Sequence, residues 1–97
     1  MRRLRSQARI GTIAPDRYLA LLCKSLPGEA IAYSDDEGRA EFGFGLCRMR
    51  ASEHRLLLAI EADDEASLAL VQKMIGEHLG RCMWRETPTI NWIRHSR

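Results

Sequence analysis

Several features that would assign the chain to a specialised class are missing from its sequence. No run of about 18 apolar residues occurs, so the sequence predicts no membrane-spanning helix and no membrane partner. The basic segment 1–5 is not followed by an apolar stretch of about 7–15 residues, which is the mark of a secretory signal. We therefore expect a cytoplasmic location.

Cysteine is scarce, and its spacing is not that of a metal site or a disulfide framework. The 3 cysteines, Cys23, Cys47 and Cys82, form no CxxC pair, and their odd number favours reduced thiols. The sequence also contains no P-loop, GxGxxG, GxSxG or HExxH motif. We expect no cofactor and no resident metal.

Charge of neither sign is in large excess. The 15 basic and 13 acidic residues give a net charge of +2, which excludes a strongly basic nucleic-acid coat but not a local basic patch. With 45% hydrophobic and 29% charged residues among 97, the composition is typical of a globular protein. We expect one domain over residues 1–97, with residues 1–6 as a flexible basic arm.

Hydrophobic periodicity predicts two helices and six strands. Apolar residues at helical spacing predict a helix over 15–26 and another from the acidic segment 63–65 to residue 82. Alternating patterns predict strands at 6–13, 29–34, 39–44, 46–51, 55–62 and 89–94. This order, β-α-β-β-β-β-α-β, predicts an α+β fold: an antiparallel sheet of five to six strands with two helices on one face.

Local signals set the expected element boundaries. Pro27-Gly28 is expected to end the first helix, and Thr87-Pro88 to interrupt the chain before the last strand. Asp63 is the expected N-cap of the second helix, because its carboxylate can accept a free backbone N–H there.

A set of short segments, spread in order over most of the chain, carries a family resemblance. They are Arg17-Tyr18-Leu19, Leu22-Cys23-Lys24, residues 42–47, residues 56–62, His78-Leu79-Gly80-Arg81, Trp84-Arg85-Glu86 and Trp92. From about residue 8 to residue 92 the chain resembles the bacterial family named domain of unknown function 2218. It departs from the family pattern at Ser25, where the family has histidine, and at Gly80 and Cys82, where it has glutamate and an aromatic residue.

The resemblance implies a small cytoplasmic bacterial α+β domain with no established reaction. It also implies an association with iron–siderophore utilisation. The residues that match the family motifs and have ligand-binding chemistry are Arg17, Tyr18, Cys47, His78 and Arg81. Arginines at the mouth of a cleft between helices and sheet can hold a carboxylate or phosphate through paired hydrogen bonds. We therefore expect a binding or accessory domain for a small anionic ligand.

The alternative is a small enzyme that uses His78 for acid–base chemistry and the thiol of Cys47 or Cys23. His78 lies at the edge of the second helix's apolar stripe, so a structural role is the competing interpretation. Buried cysteines commonly act as small apolar residues. The sequence assigns no catalytic residue.

Arginines alternate along the predicted strands. Arg48, Arg50 and Arg55 should share one face of the sheet, with Arg39 near them. RNA-binding sheets also present exposed aromatic residues, whereas Phe42, Phe44 and Tyr18 are predicted to point inward. Glu41 and Glu61 lie among these arginines, which favours paired surface charges, and no nucleic-acid partner is expected.

Self-association through an open sheet face or edge strand is the third interpretation, so the sequence is compatible with a monomer or a homodimer.

Overall fold

The computed structural model describes residues 3–26, 30–86 and 90–95, without the side chains of Ala30 and His95. The elements are β1 (Leu4–Gly11), α1 (Pro15–Ser25), β2 (Ala30–Tyr33), β3 (Glu37–Phe42), β4 (Gly45–Ser52), β5 (Arg55–Ala62), α2 (Glu65–Cys82) and β6 (Ile93–His95). The strands form one sheet in the order β2-β3-β4-β5-β1-β6, with every pairing antiparallel. The predicted α+β class and element order are confirmed.

The sheet combines a local meander with a distant strand. Strands β2 to β5 follow one another through short turns, whereas β1 lies on the far side of β5 and pairs with it from Leu4 opposite Ala62 to Gly11 opposite Arg55. Helix α1 carries the chain from β1 across the sheet to β2. The pairing of β1 with β5 makes residues 9 and 57 direct neighbours.

The core lies between the helices and one face of the sheet. Alternate strand residues are buried there, as the repeating burial pattern of β5 shows. Helix α1 contributes Leu19, Leu22 and Cys23, and α2 contributes Leu68, Val71, Ile75 and Leu79. Both helices contact β4, β5 and each other, so within the described part of the chain the opposite face of the sheet has no helix over it.

Two glycines permit close packing. A Cβ on Gly45 would lie 2.6 Å from the Glu61 carbonyl oxygen and 2.9 Å from Val71 Cγ2. A Cβ on Gly38 would lie 2.9 Å from Cys23 Sγ. These strands therefore approach α2 and α1 more closely than a side chain would allow.

Some expected boundaries need correction. Strand β1 begins at Leu4, so residues 4–6, which were expected in a flexible arm, belong to the sheet. The N-cap of α2 is Asp64 rather than Asp63, because Asp64 Oδ1 accepts a hydrogen bond from the Ser67 backbone N–H at 2.7 Å. Phe44 lies in the β3–β4 turn rather than in a strand.

Two of the predicted boundary signals, Pro27-Gly28 and Thr87-Pro88, lie outside the described residues. Among the residues that are described, neither helix is long and apolar enough to cross a membrane.

Candidate functional site

A shallow groove of about 860 Å³ crosses the face of the sheet opposite the helices. Four arginines line it: Arg9 from β1, Arg39 from β3, and Arg48 and Arg50 from β4. We call this the arginine groove. Leu57 and Ala59 of β5 form its floor, and both are half-buried.

Strand register arranges these side chains in two rows across the sheet. In one row, Arg39 lies opposite Arg48, and Ala59 lies on the other side of Arg48. The residues of each row point to the same face, because side chains alternate along paired strands. These residues come from three neighbouring strands, so the sheet itself brings the two arginines and the apolar floor together.

The second row is parallel to the first and two residues further along each strand. Arg50 lies opposite Leu57, and Leu57 lies opposite Arg9 on its other side. Glu37 faces Arg50 across β3 and β4. The apolar Leu57 is therefore flanked by arginine on both neighbouring strands.

The groove has an excess of positive charge, because four arginines and one carboxylate, that of Glu37, line it. In the described ranges, no carboxylate oxygen lies within 4.0 Å of a guanidinium nitrogen of Arg9, Arg48 or Arg50. Arg39 contacts Glu41 at 3.5 Å, but both side chains are about half exposed, so water screens that pair. Like charges directly opposite on paired strands repel, which makes the groove a favourable place for an anion.

The expected arginine face is confirmed in its placement. Register puts Arg39, Arg48, Arg50 and Arg55 on the same face of the sheet. The pairing with acidic residues is only partial, since Glu41 contacts Arg39 while Glu61 contacts Arg5, at 3.8 Å, instead of a groove arginine.

The candidate residues named from the family motifs do not form one site. Arg17 and Tyr18 line a second pocket, of about 470 Å³, together with Arg85 and Glu86. The Thr12 hydroxyl donates to Glu86 Oε2 at 3.0 Å. The carboxylate of Glu86 and partial burial raise the pKa of the Tyr18 hydroxyl. This is a local polar network at the start of α1, separate from the arginine groove.

The other three candidates lie elsewhere. Cys47 is fully buried in the core, His78 is half-buried on α2, and Arg81 is exposed in the last turn of α2. None of them lines either pocket. The structure therefore brings Arg17 and Tyr18 together and leaves Cys47, His78 and Arg81 apart from them.

The buried thiols have the environment of core residues. Burial raises the pKa of the Cys23 thiol to about 11 and raises that of Cys47 further above its usual range. Cys23 Sγ lies 3.8 Å from Met49 Sδ. Both thiols stay protonated at neutral pH, whereas a nucleophilic cysteine needs its thiolate form.

No metal cluster forms in the part of the chain that the structure describes, where no group of three or more His, Cys, Asp or Glu side chains is placed to hold an ion.

Sequence reasoning missed Arg9 as a groove residue. The available signal was the alternation of Arg5, Gln7 and Arg9 along β1, which predicts an exposed polar face. That alternation does not identify the strand beside β1. The groove becomes visible only once β1 is paired with β5.

Together these features define a small α+β domain whose antiparallel sheet has helices on one face and an arginine-lined groove on the other. The chain belongs to a bacterial family described as "uncharacterized protein conserved in bacteria" (DUF2218), whose model matches residues 7–93. The resemblance seen in the short motifs is thereby confirmed.

A solved structure supports the same architecture. The NMR structure of PA4090 from Pseudomonas aeruginosa is similar to this chain, with a TM-score of 0.77 and 28% sequence identity. The match covers 93% of this chain and 95% of that one. No curated protein matches the chain.

Proposed function

We propose that this domain binds a small anionic ligand in the arginine groove and acts as a binding or accessory domain. The observation that carries the proposal is the direct opposition of Arg39 and Arg48, next to Arg50 and across β5 from Arg9. Three of these four side chains have no carboxylate within 4.0 Å among the described residues. A bound anion would relieve the repulsion between them.

Guanidinium groups suit this role because each offers planar pairs of N–H donors that match a carboxylate or phosphate. The groove volume of about 860 Å³ falls within the range of about 300–1,000 Å³ typical of small-molecule sites. The groove is open to water, so salt should weaken binding markedly.

The cellular location of the domain and its association with iron–siderophore utilisation remain predictions. The family resemblance implies an association with iron–siderophore utilisation and a cytoplasmic location, and ferric siderophores that carry anionic groups are therefore included among the test ligands. The enzyme and self-association alternatives also remain predictions, and no contact in the groove favours either of them.

Isothermal titration calorimetry with pyrophosphate, citrate and an anionic ferric siderophore tests the proposal. The matched variants are Arg48→Gln, which removes a groove arginine, and Arg55→Gln, which removes an arginine of the same face that does not line the groove. Hydrogen bonds to charged groups contribute about 1.5–3 kcal/mol, so Arg48→Gln should weaken binding about tenfold or more.

Arg55→Gln has the same change in net charge and should leave affinity within about twofold, since the exposed side chain of Arg55 does not line the groove and salt screens its charge. Equal losses in the two variants would show non-specific attraction to the whole face. The absence of binding by every anion would refute the proposal.

A further inference from the structure

The floor of the arginine groove is apolar. Leu57 and Ala59 are on β5, the strand that lies between β4 and β1, and they point away from the helices. Both are half-buried, so part of their hydrocarbon surface faces the groove. Contact with water is unfavourable for that surface, and an apolar group lying on it would be stabilised.

The arginines stand on both sides of this floor. Neighbouring strands are about 4.8 Å apart, so the backbones at Arg50 and Arg9 are about 10 Å apart across Leu57. The Arg39–Arg48 pair lies two residues further along, about 7 Å away. The groove thus presents cationic groups at separate points around an apolar strip.

This arrangement discriminates between kinds of anion. A compact inorganic anion can contact one group of arginines but leaves the surface of Leu57 and Ala59 against water. An apolar acid with one carboxylate covers the floor but leaves the arginines on one side without a partner. A ligand satisfies both features only when it has an apolar body and acidic groups at two ends.

We infer that the groove selects an amphipathic dianion, with a flat or elongated apolar body over Leu57 and Ala59 and carboxylate or phosphate groups directed to the arginines of β4 and β1. The inference rests on the proposed anion binding and specifies its ligand class. The floor is aliphatic, and Tyr33, the aromatic residue among those that line the groove, lies on β2, three strands away from β5. Platforms that bind single-stranded nucleic acids stack successive bases on several aromatic side chains.

Calorimetry with three defined probes tests this selectivity: 2,6-naphthalenedicarboxylate, 2-naphthoate and pyrophosphate. The rigid diacid is expected to bind at least tenfold more tightly than either the monoacid or pyrophosphate. The Arg9→Gln variant should reduce the affinity for the diacid to that for the monoacid, because one end of the diacid then has no partner.

The floor is tested with Leu57→Gln and with a matched control, Leu70→Gln, an exposed leucine on α2. Leu57→Gln should weaken binding of the diacid about tenfold and leave the affinity for pyrophosphate unchanged. Leu70→Gln should change neither affinity. Circular dichroism confirms that each variant is folded before it is titrated.

The possible failures are distinguishable. If all three probes bind equally and Leu57→Gln changes none of them, anion binding stands and selection of an amphipathic dianion is overturned. If Leu57→Gln weakens pyrophosphate as much as the diacid, the floor acts only through groove shape, and the inference is likewise overturned. If no probe binds to the unaltered protein, both the proposed function and the inference fail.

Discussion

Arg39 and Arg48 face each other directly across β3 and β4, on the face of the sheet opposite the two helices. Like charges in directly opposed cross-strand positions destabilise a sheet by about 0.2–1 kcal/mol. The groove should therefore be a site of local instability when no anion is bound. Replacing one arginine with an acid should stabilise the protein while abolishing anion binding.

The corresponding variant is Arg48→Glu, which places a carboxylate opposite Arg39. We expect its free energy of unfolding to rise by about 0.5 kcal/mol at low salt, with the gain disappearing in about 1 M NaCl. Urea denaturation at the two salt concentrations measures this. Arg55→Glu, opposite Ser52, is the control and should show no such gain. A stability loss confined to Arg48→Glu would argue against repulsion in the groove.

At Gly45 the sheet approaches α2 closely. Gly45→Ala should lower the free energy of unfolding by about 1–3 kcal/mol, because the new methyl group overlaps the Glu61 carbonyl oxygen and Val71. Gly43→Ala is the matched control, since its Cβ would have no atom within 4 Å and its φ is not positive. Chemical denaturation of the two variants compares them directly, and equal losses would contradict the packing argument.

The three thiols should differ in reactivity. Cys82 is half-buried on α2 and should react first with a disulfide reagent at pH 8, whereas Cys23 and Cys47 should react only as the protein unfolds. Burial raises the pKa of Cys23 to about 11, which leaves very little thiolate at that pH. Absorbance at increasing urea concentration follows the labelling.

The Cys82→Ser variant provides the control for thiol labelling. Its native form should show almost no fast labelling. Labelling at the rate of the unaltered protein would mean that a core thiol is accessible.

Asp64 should contribute to the acid dependence of stability. Hydrogen bonds from Ser67, first from its backbone N–H and then from its side chain, lower the pKa of the Asp64 carboxyl below the ordinary value of 3.8. Its stabilising contribution is therefore complete above about pH 3.8 and is lost as the pH falls through the lower pKa of the folded state. The Asp64→Asn variant keeps a hydrogen-bond acceptor at the N-cap but has no carboxyl to protonate there. Its free energy of unfolding should therefore depend less on pH in this range.

Urea denaturation between pH 7 and pH 2 measures this effect. Asp35→Asn, which removes an exposed turn carboxylate, is the control and should leave the acid dependence as it is in the unaltered protein. An unchanged pH profile in Asp64→Asn would show that the cap makes no ionic contribution.

The elements could be predicted from sequence where burial alternates regularly. The predicted strand at 55–62 agrees with β5, because Leu56, Leu58 and Ile60 repeat at period two and all are buried. The predicted N-cap of α2 was wrong by one residue, because Asp63 and Asp64 have equivalent capping chemistry. Only the backbone path decides which carboxylate meets a free N–H.

The candidate site was harder to predict, because it depends on pairing between distant residues. The periodicity that placed Arg48 and Arg50 on one face could not place Arg9 beside them, since that contact requires β1 to pair with β5. Family motifs pointed instead to Cys47, whose period-two relation to Met49 places it in the core. A match to a motif does not distinguish a packing residue from a binding residue.

Residues along a strand of this sheet point alternately to the core and to the groove, so substitutions that affect packing and substitutions that affect the groove fall at different positions. Met49 belongs to the core, while Arg48 and Arg50 on either side of it face the groove. Under the proposed anion binding, substitutions at 48 and 50 are expected to change ligand preference and to leave the packing beneath in place. If the domain binds anions as proposed, its ligand can therefore change through single substitutions that each leave a folded protein.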